Sequence, residues 1–270
     1  KGTIDNLVTK SMVIKSGSTL VDGDIALRGL PDIDNTFIDF KSNILVTNYT
    51  DLITIVPVLK NVTQPKLNRL GNITFKGNFT GFINDFVTYG SINTGMGSLI
   101  ADVNMKLPEG KTPTYSGKIS SPGFNLGNFI GSGDVGKIAL DGNVTGSGFS
   151  LKDLQASFRG NVKELYFSGY NYSNIIIDGK FNKKLFSGSG SINDPNLKLD
   201  NFNGSIDFTG KNPAFNFDAP SYINCIFVCS KHAHSAMENL KKFPRITPLF
   251  QEEGEGKEQE GREINSTTFT

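Results

Sequence analysis

Tryptophan is absent from the 270-residue chain, and neither cysteine nor histidine occurs before residue 225. The serines and threonines of this stretch have no evident base partner, so we expect no enzyme and no catalytic residues. No run of eighteen apolar residues is present, which excludes a transmembrane helix within the sequence. The 27 basic and 26 acidic residues nearly cancel, a balance that argues against nucleic acid as a partner.

Glycine and phenylalanine are abundant instead, with 30 and 21 copies, a composition typical of many short strands rather than of helices. A five-residue pattern of large apolar, polar, glycine, polar and large apolar residues recurs seven times. Because side chains alternate between the two faces of a strand, the apolar residues and the glycine share one face. The copies are Val21–Ile25, Phe75–Phe79, Tyr115–Ile119, Leu140–Val144, Phe158–Val162, Ile177–Phe181 and Phe202–Ile206.

Glycine in the middle of a strand normally weakens it, so its recurrence on the apolar face predicts a bend in the sheet. The sequence therefore predicts an all-β fold, an elongated and curved sheet that forms an open groove with an apolar side. A sandwich whose second sheet covers that side is an alternative. The pattern does not determine whether the groove is open or closed, or whether the strands pair parallel or antiparallel. The residues expected to line the groove are Ile138, Leu140, Val144, Phe158, Val162, Ile177, Phe181, Ile206 and Phe208.

Repeat units of similar length are indicated by Gly142, Gly160 and Gly179, which are 18 and 19 residues apart. That spacing predicts hairpin-sized units of two strands and their turns, as in an elongated repeat protein. Roughly fourteen strands, stacked about 4.8 Å apart, would build a groove about 65 Å long.

Two segments break the alternation. Residues 48–59 have apolar side chains at helical spacing, with Thr50 as a candidate N-cap and Pro57 limiting the helix to about two turns. Residues 124–131 predict a second, shorter helix. We expect each helix to dock its apolar side on the groove or on its rim.

The alternating pattern ends after Pro220, where the composition changes. Gln251–Glu263 is acidic, rich in glycine and without periodicity, which predicts disorder because such a segment cannot bury a core. We therefore assign residues 1–218 to a repetitive β body and residues 219–270 to an unrelated, largely disordered tail.

Two short motifs lack the context that their usual ligands need. Gly131–Gly136 matches G-x-G-x-x-G, but the following residues predict a strand rather than the helix that meets a pyrophosphate, so we expect no dinucleotide cofactor. The tail contains four potential zinc ligands within ten residues, too short a span to enclose the ion as structural sites usually do. We therefore expect no metal site. The four are Cys225, Cys229, His232 and His234.

A longer pattern is carried by residues 121–131 (SPGFNLGNFIG), 140–149 (LDGNVTGSGF), 169–175 (GYNYSNI) and 192–200 (INDPNLKLD). Their succession in this order resembles the repeating body of the AsmA-like/TamB family, the translocation and assembly module proteins of bacteria with two membranes. The resemblance covers about residues 1–218 and identifies the chain as an internal fragment of such a protein. Residues from Asn224 onward do not match the family.

The resemblance implies a periplasmic bridge that conducts phospholipid between inner and outer membrane and supports outer-membrane biogenesis and protein assembly. It also implies inner-membrane anchoring by an N-terminal helix, and contact with an outer-membrane barrel assembly protein, through regions that this sequence lacks. The energetics agree, because burying a CH2 group is worth about 0.8 kcal/mol and exposing two acyl chains would cost on the order of 20 kcal/mol. The rival interpretation is a structural β-repeat, such as an adhesin or passenger stalk, with a closed core.

Overall fold

The computed structural model describes residues 2–3, 5–55, 57–149, 153–210 and 214–218. They form one fourteen-stranded sheet in which every strand pairs antiparallel with its neighbours along the chain. This order is a meander, so short turns suffice to connect the strands. The strands are β1 Gly2–Thr3, β2 Asn6–Ser16, β3 Thr19–Arg28, β4 Phe37–Asn48, β5 Asn72–Phe82, β6 Asp85–Thr94, β7 Gly97–Lys106, β8 Thr114–Asn125, β9 Val135–Ser147, β10 Gln155–Phe167, β11 Tyr170–Asn182, β12 Leu185–Asn193, β13 Lys198–Asp207 and β14 Ala214–Asp218.

The sheet is open. Within the described residues, its two edge strands β1 and β14 each pair with a single neighbour and not with one another. Fourteen strands at about 4.8 Å per step extend about 60 Å across the sheet, close to the length expected from the sequence. The predicted elongated, curved and open β-sheet is therefore confirmed, and no second sheet of described strands lies on it.

The predicted repeat unit is wrong in size. Gly142, Gly160 and Gly179 lie on β9, β10 and β11, so each interval contains one strand and one turn rather than a hairpin. The reason is strand length, since each of these strands has 13 residues, about twice the usual length. A spacing that suits two ordinary strands is thus filled by one long strand.

Short helical segments connect β4 to β5 at one margin of the sheet. The side chain of Asn48 accepts a hydrogen bond from the backbone N–H of Asp51 at 2.9 Å, so Asn48 caps the first helix and Thr50, the predicted cap, lies within it. The helix has seven residues and ends before Pro57, as expected from the restriction that proline imposes. The segments are α1 Tyr49–Ile55 and two 3₁₀ helices, Pro57–Asn61 and Leu67–Arg69.

A second helix, α2 (Leu126–Ile130), connects β8 to β9. Asn125 caps it by accepting the N–H of Asn128 at 3.0 Å. The ring of Phe129 packs edge-on against Phe124 with 5.3 Å between centroids, so α2 docks its apolar side at the margin of the sheet, as expected. Neither helix in the described part of the chain has the length and apolarity that crossing a bilayer would require.

The glycine motif Gly131–Gly136 leads from α2 directly into β9, so a strand follows it as predicted. The predicted tail, residues 219–270, and its cluster of cysteines and histidines lie outside the described residues. Within the described residues, no group of His, Cys, Asp and Glu is arranged to hold a metal ion.

Candidate functional site

The two faces of the sheet differ in polarity. One face, which we call the apolar face, contains Leu140, Gly142, Val144 and Gly146 of β9 and the residues opposite them on the other strands. From β3 to β13 these four cross-strand rows consist of apolar residues, glycine, serine, threonine and Tyr115, with no charged side chain. Most of their large side chains are only half-buried, because no second layer of described residues covers them.

Eight of the nine predicted groove residues lie on the apolar face. Leu140 faces Val162 across the pair β9–β10, and Val162 is buried whereas the other seven are half-buried. The ninth residue, Phe208, directly follows β13 and donates its backbone N–H to the carbonyl of Lys184 at 2.9 Å, so it lies at the margin. The eight are Ile138, Leu140, Val144, Phe158, Val162, Ile177, Phe181 and Ile206.

A row of small residues crosses the apolar face at right angles to the strands. Successive members stand opposite each other in the register of the sheet, and two isoleucines, Ile119 and Ile177, interrupt them. Several of these glycines are recognisable in the sequence, but their alignment is not, because pairing partners are far apart along the chain. This small-residue row consists of Gly23, Ser42, Gly77, Gly90, Ala101, Gly142, Gly160 and Gly190.

Phenyl rings occupy the space above glycines of the apolar face. A Cβ built on Gly142 or Gly160 would lie 2.6 or 2.9 Å from Cζ of Phe158, so the ring lies over both backbones. The same contact recurs on other strands, and such covering of strand glycines by aromatic rings stabilises a sheet. The further pairs are Phe40 over Gly23, Phe75 over Gly90, Phe186 over Gly179 and Phe202 over Gly190.

These rings lie low on the sheet. Phe40, Phe186 and Phe202 are only 8%, 7% and 6% exposed, although the described residues provide no second layer above them. A ring that stood upright on an uncovered face would expose most of its surface to water. The apolar face is therefore a shallow surface, part of which consists of rings lying flat, rather than a layer of projecting side chains. We call this surface the floor.

A sequence signal for this arrangement existed and was missed. In three of the Phe-x-Gly segments of the sequence, the phenyl ring covers the residue opposite the glycine on the neighbouring strand, as Phe158 covers Gly142. The glycine alone predicts a bend, whereas the phenylalanine two residues before it indicates a ring that covers the neighbouring strand. These three segments are Phe75–Gly77, Phe158–Gly160 and Phe186–Gly188.

Aromatic side chains from connecting segments stand at both ends of β8. At one end Phe129 of α2 covers Phe124, and at the other Phe149 stacks on Tyr115 with 5.6 Å between centroids and 7° between ring planes. The Tyr115 hydroxyl donates to the carbonyl of Gly148 at 3.3 Å, and burial raises the pKa of Tyr115 above its ordinary value. The apolar face thus has raised apolar margins at this strand.

The polar face carries the charges. Lys118 pairs with Asp141 at 3.4 Å, and Arg159 donates from Nε to Asp178 at 2.8 Å. All four side chains are at least 44% exposed, and exposed pairs contribute little to stability. These charges keep the polar face of the sheet hydrated, while the four rows of the apolar face carry no charge.

A buried carboxylate fixes the turn between β12 and β13. Asp194 accepts hydrogen bonds from the Tyr170 hydroxyl at 2.5 Å, the Ser173 hydroxyl at 2.7 Å and the backbone N–H groups of Ser173 and Asn196 at 2.9 Å. Burial, with the hydrogen bond to Asp194, raises the pKa of Tyr170 to about 12. Because these hydrogen bonds join the turn to the start of β11, we assign this cluster a structural role.

No family model, curated protein or solved structure matches this chain. The resemblance to the AsmA-like/TamB family thus stays a prediction, and so do the absence of enzymatic activity and the predicted partners and location. The open, uncharged surface of the apolar face is the structural feature that bears on function. The uncharged surface from β3 to β13 is about 48 Å long, at about 4.8 Å per step, and suits flexible apolar chains better than a compact polar ligand.

Proposed function

We propose that the apolar face is a lipid passage, in which the acyl chains of phospholipid lie on the floor of the open sheet and move across its strands. The observation that carries the proposal is the continuity of the uncharged, half-buried surface from β3 to β13. Large exposed apolar surfaces on soluble proteins generally mark contact with another molecule or a membrane. The sequence resemblance supports the same function and suggests a periplasmic location between two membranes.

The energetics of lipid movement favour such a surface. Each CH2 group that stays out of water gains about 0.8 kcal/mol, so two acyl chains exposed to water cost on the order of 20 kcal/mol. A continuous apolar floor removes most of that cost at every step, and no bond is made or broken. Passage therefore needs an uninterrupted surface rather than catalytic groups.

The rival function, a structural stalk with a closed core, needs a second layer over the apolar face. Among the described residues the sheet is open and that layer is not present. A solid stalk would also gain stability from tall, interlocking side chains, whereas several phenyl rings of this face lie flat on glycine. These observations favour the passage.

Consecutive isoleucines on β11 provide the test. Ile177 lies on the apolar face, opposite Gly160 and Gly190, while Ile176 points to the polar face and is 61% exposed. The full chain and its variants are purified from bacteria, and bound phospholipid is extracted and quantified per chain. Transfer of fluorescent phosphatidylethanolamine between donor and acceptor vesicles is measured in parallel.

We expect the unmodified chain and Ile176→Asp to carry and transfer phospholipid, and Ile177→Asp to lose most of both, because a carboxylate would interrupt the uncharged floor. Leu140→Asp is a second variant on β9 with the same expectation. The proposal is refuted if the unmodified chain carries no more phospholipid than an unrelated β protein prepared alongside. It is equally refuted if Ile177→Asp folds and transfers lipid as well as Ile176→Asp.

A further inference from the structure

We propose that Gly179 is a positioning residue for the lipid passage: it provides the space in which the ring of Phe186 lies flat, and it thereby sets the free depth of the floor at β11 and β12. The inference rests on the function proposed above. It adds a residue that touches no lipid itself and acts through the aromatic ring beside it.

The local register creates this space. Gly179 stands opposite Gly188, and Gly188 stands opposite Gly204 on the next strand, so three glycines in a row leave a gap on the apolar face. Phe186, two residues before Gly188, covers this gap. Its ring also contacts that of Phe181, with 5.0 Å between centroids and 53° between ring planes.

Gly179 differs from the other covered glycines in what a side chain would meet. A Cβ at Gly179 would lie 2.4 and 2.6 Å from Cε2 and Cζ of Phe186, while the nearest backbone atom, O of Ser187, is at an ordinary 3.5 Å. At Gly142 and Gly160, by contrast, a Cβ would also lie 2.6 and 2.3 Å from a backbone oxygen of the neighbouring strand. A substitution at Gly179 therefore acts on the ring, whereas one at Gly142 or Gly160 would distort the sheet.

A valine at position 179 would occupy the place of the ring. Valine itself suits a strand and the apolar face, so the sheet can keep its pairing. The ring must then leave its position over the glycines, because carbon atoms do not approach closer than about 3.5 Å without repulsion. With backbone below and Phe181 beside it, the ring moves upward into the path that we assign to the acyl chains.

The measurement is bound phospholipid per chain, on the full chain purified from bacteria, for Gly179→Ala, Gly179→Val and the double variant Gly179→Val/Phe186→Leu. Losing contact with one methylene group lowers affinity about fourfold. We therefore expect Gly179→Val to bind phospholipid about fourfold more weakly and to carry correspondingly less after purification, with Gly179→Ala intermediate. The double variant should return to near the level of the unmodified chain, because leucine is shorter than the displaced ring.

The matched control is Gly123→Val on β8. A Cβ at Gly123 would meet nothing within 4 Å, so the same side chain is added to a strand without moving a ring, and phospholipid should be unchanged. Melting by circular dichroism is followed for every variant. Because Phe186→Leu would also relieve a destabilising clash, phospholipid is compared only among variants that melt like the unmodified chain.

The outcomes separate the two proposals. If the unmodified chain carries no phospholipid, the function proposed above fails and the role of Gly179 falls with it. If the unmodified chain carries phospholipid and folded Gly179→Val carries the same amount, the passage stands and the inference about Gly179 is wrong. It is also wrong if the double variant folds but stays as depleted as Gly179→Val.

Discussion

Substitution of three successive isoleucines on β11 tests whether the apolar face is uncovered in solution. Ile175 is 8% exposed, Ile176 is 61% exposed on the polar face, and Ile177 is half-buried on the apolar face. The same substitution, isoleucine to aspartate, at each position samples three environments on one strand. The residue types, the chemical change and the strand are identical, so differences in unfolding free energy report on burial.

The expected costs follow from exposure. Ile176→Asp removes little buried surface and loses mainly strand propensity, at most about 1 kcal/mol. Ile177→Asp also loses about half of a burial worth about 2–3 kcal/mol, but its carboxylate stays hydrated, so we expect a total of about 2 kcal/mol. Ile175→Asp loses nearly the whole burial and desolvates a charge, which brings its cost to about 4 kcal/mol or more.

Urea unfolding followed by circular dichroism gives the three free energies. The slope of each transition must match that of the unmodified chain, because a changed slope would mean that the native or unfolded state differs. The reasoning fails if Ile177→Asp is as destabilising as Ile175→Asp. That outcome would mean that the apolar face is covered in solution, and the closed-core interpretation would replace the open groove.

Three further predictions concern the elements that frame the apolar face. Asp194→Ala should lower the unfolding free energy by about 3 kcal/mol in urea melts, because it leaves buried donors of Tyr170 and Ser173 without their acceptor. Since the pKa of Tyr170 is raised to about 12 from an ordinary value of 10.0, its stabilisation is complete below pH 10 and is lost as pH rises toward 12. Between these pH values the unmodified chain should therefore lose about 2 kcal/mol of unfolding free energy that Tyr170→Phe does not lose. The exposed control Tyr89→Phe should behave like the unmodified chain. Asn48→Ala should cost about 1 kcal/mol through loss of the α1 cap, and a melt unchanged within error would show that α1 needs no cap.

Alternation along single strands was sufficient to predict the fold class and the composition of the two faces. Leu140, Val144 and Phe158 were placed correctly because a strand with a polar side and an apolar side has only one way to present them. The helices were also predictable in place, since apolar spacing and Pro57 are local signals. Even there the predicted cap was wrong. Thr50 was predicted and Asn48 is observed, because both residue types are good caps and the two lie only two residues apart.

What single strands could not reveal was the register between them. The size of the repeat was wrong because strand length depends on pairing partners far along the chain. For the same reason the alignment of Gly77 with Gly90, and of Gly142 with Gly160, was missed. Phe-x-Gly was visible in the sequence, but its meaning depends on which residue of the next strand lies under the ring.

The covered glycines reconcile two demands that otherwise conflict on an open sheet. An apolar surface must be large enough to hold a flexible chain, yet upright side chains without a second layer would lose most of their burial. A ring lying over facing glycines keeps its own burial, as the 7% exposure of Phe186 shows, and still presents an apolar surface to whatever lies above. A floor built in this way can be stable without being covered, and that property is what a lipid passage needs.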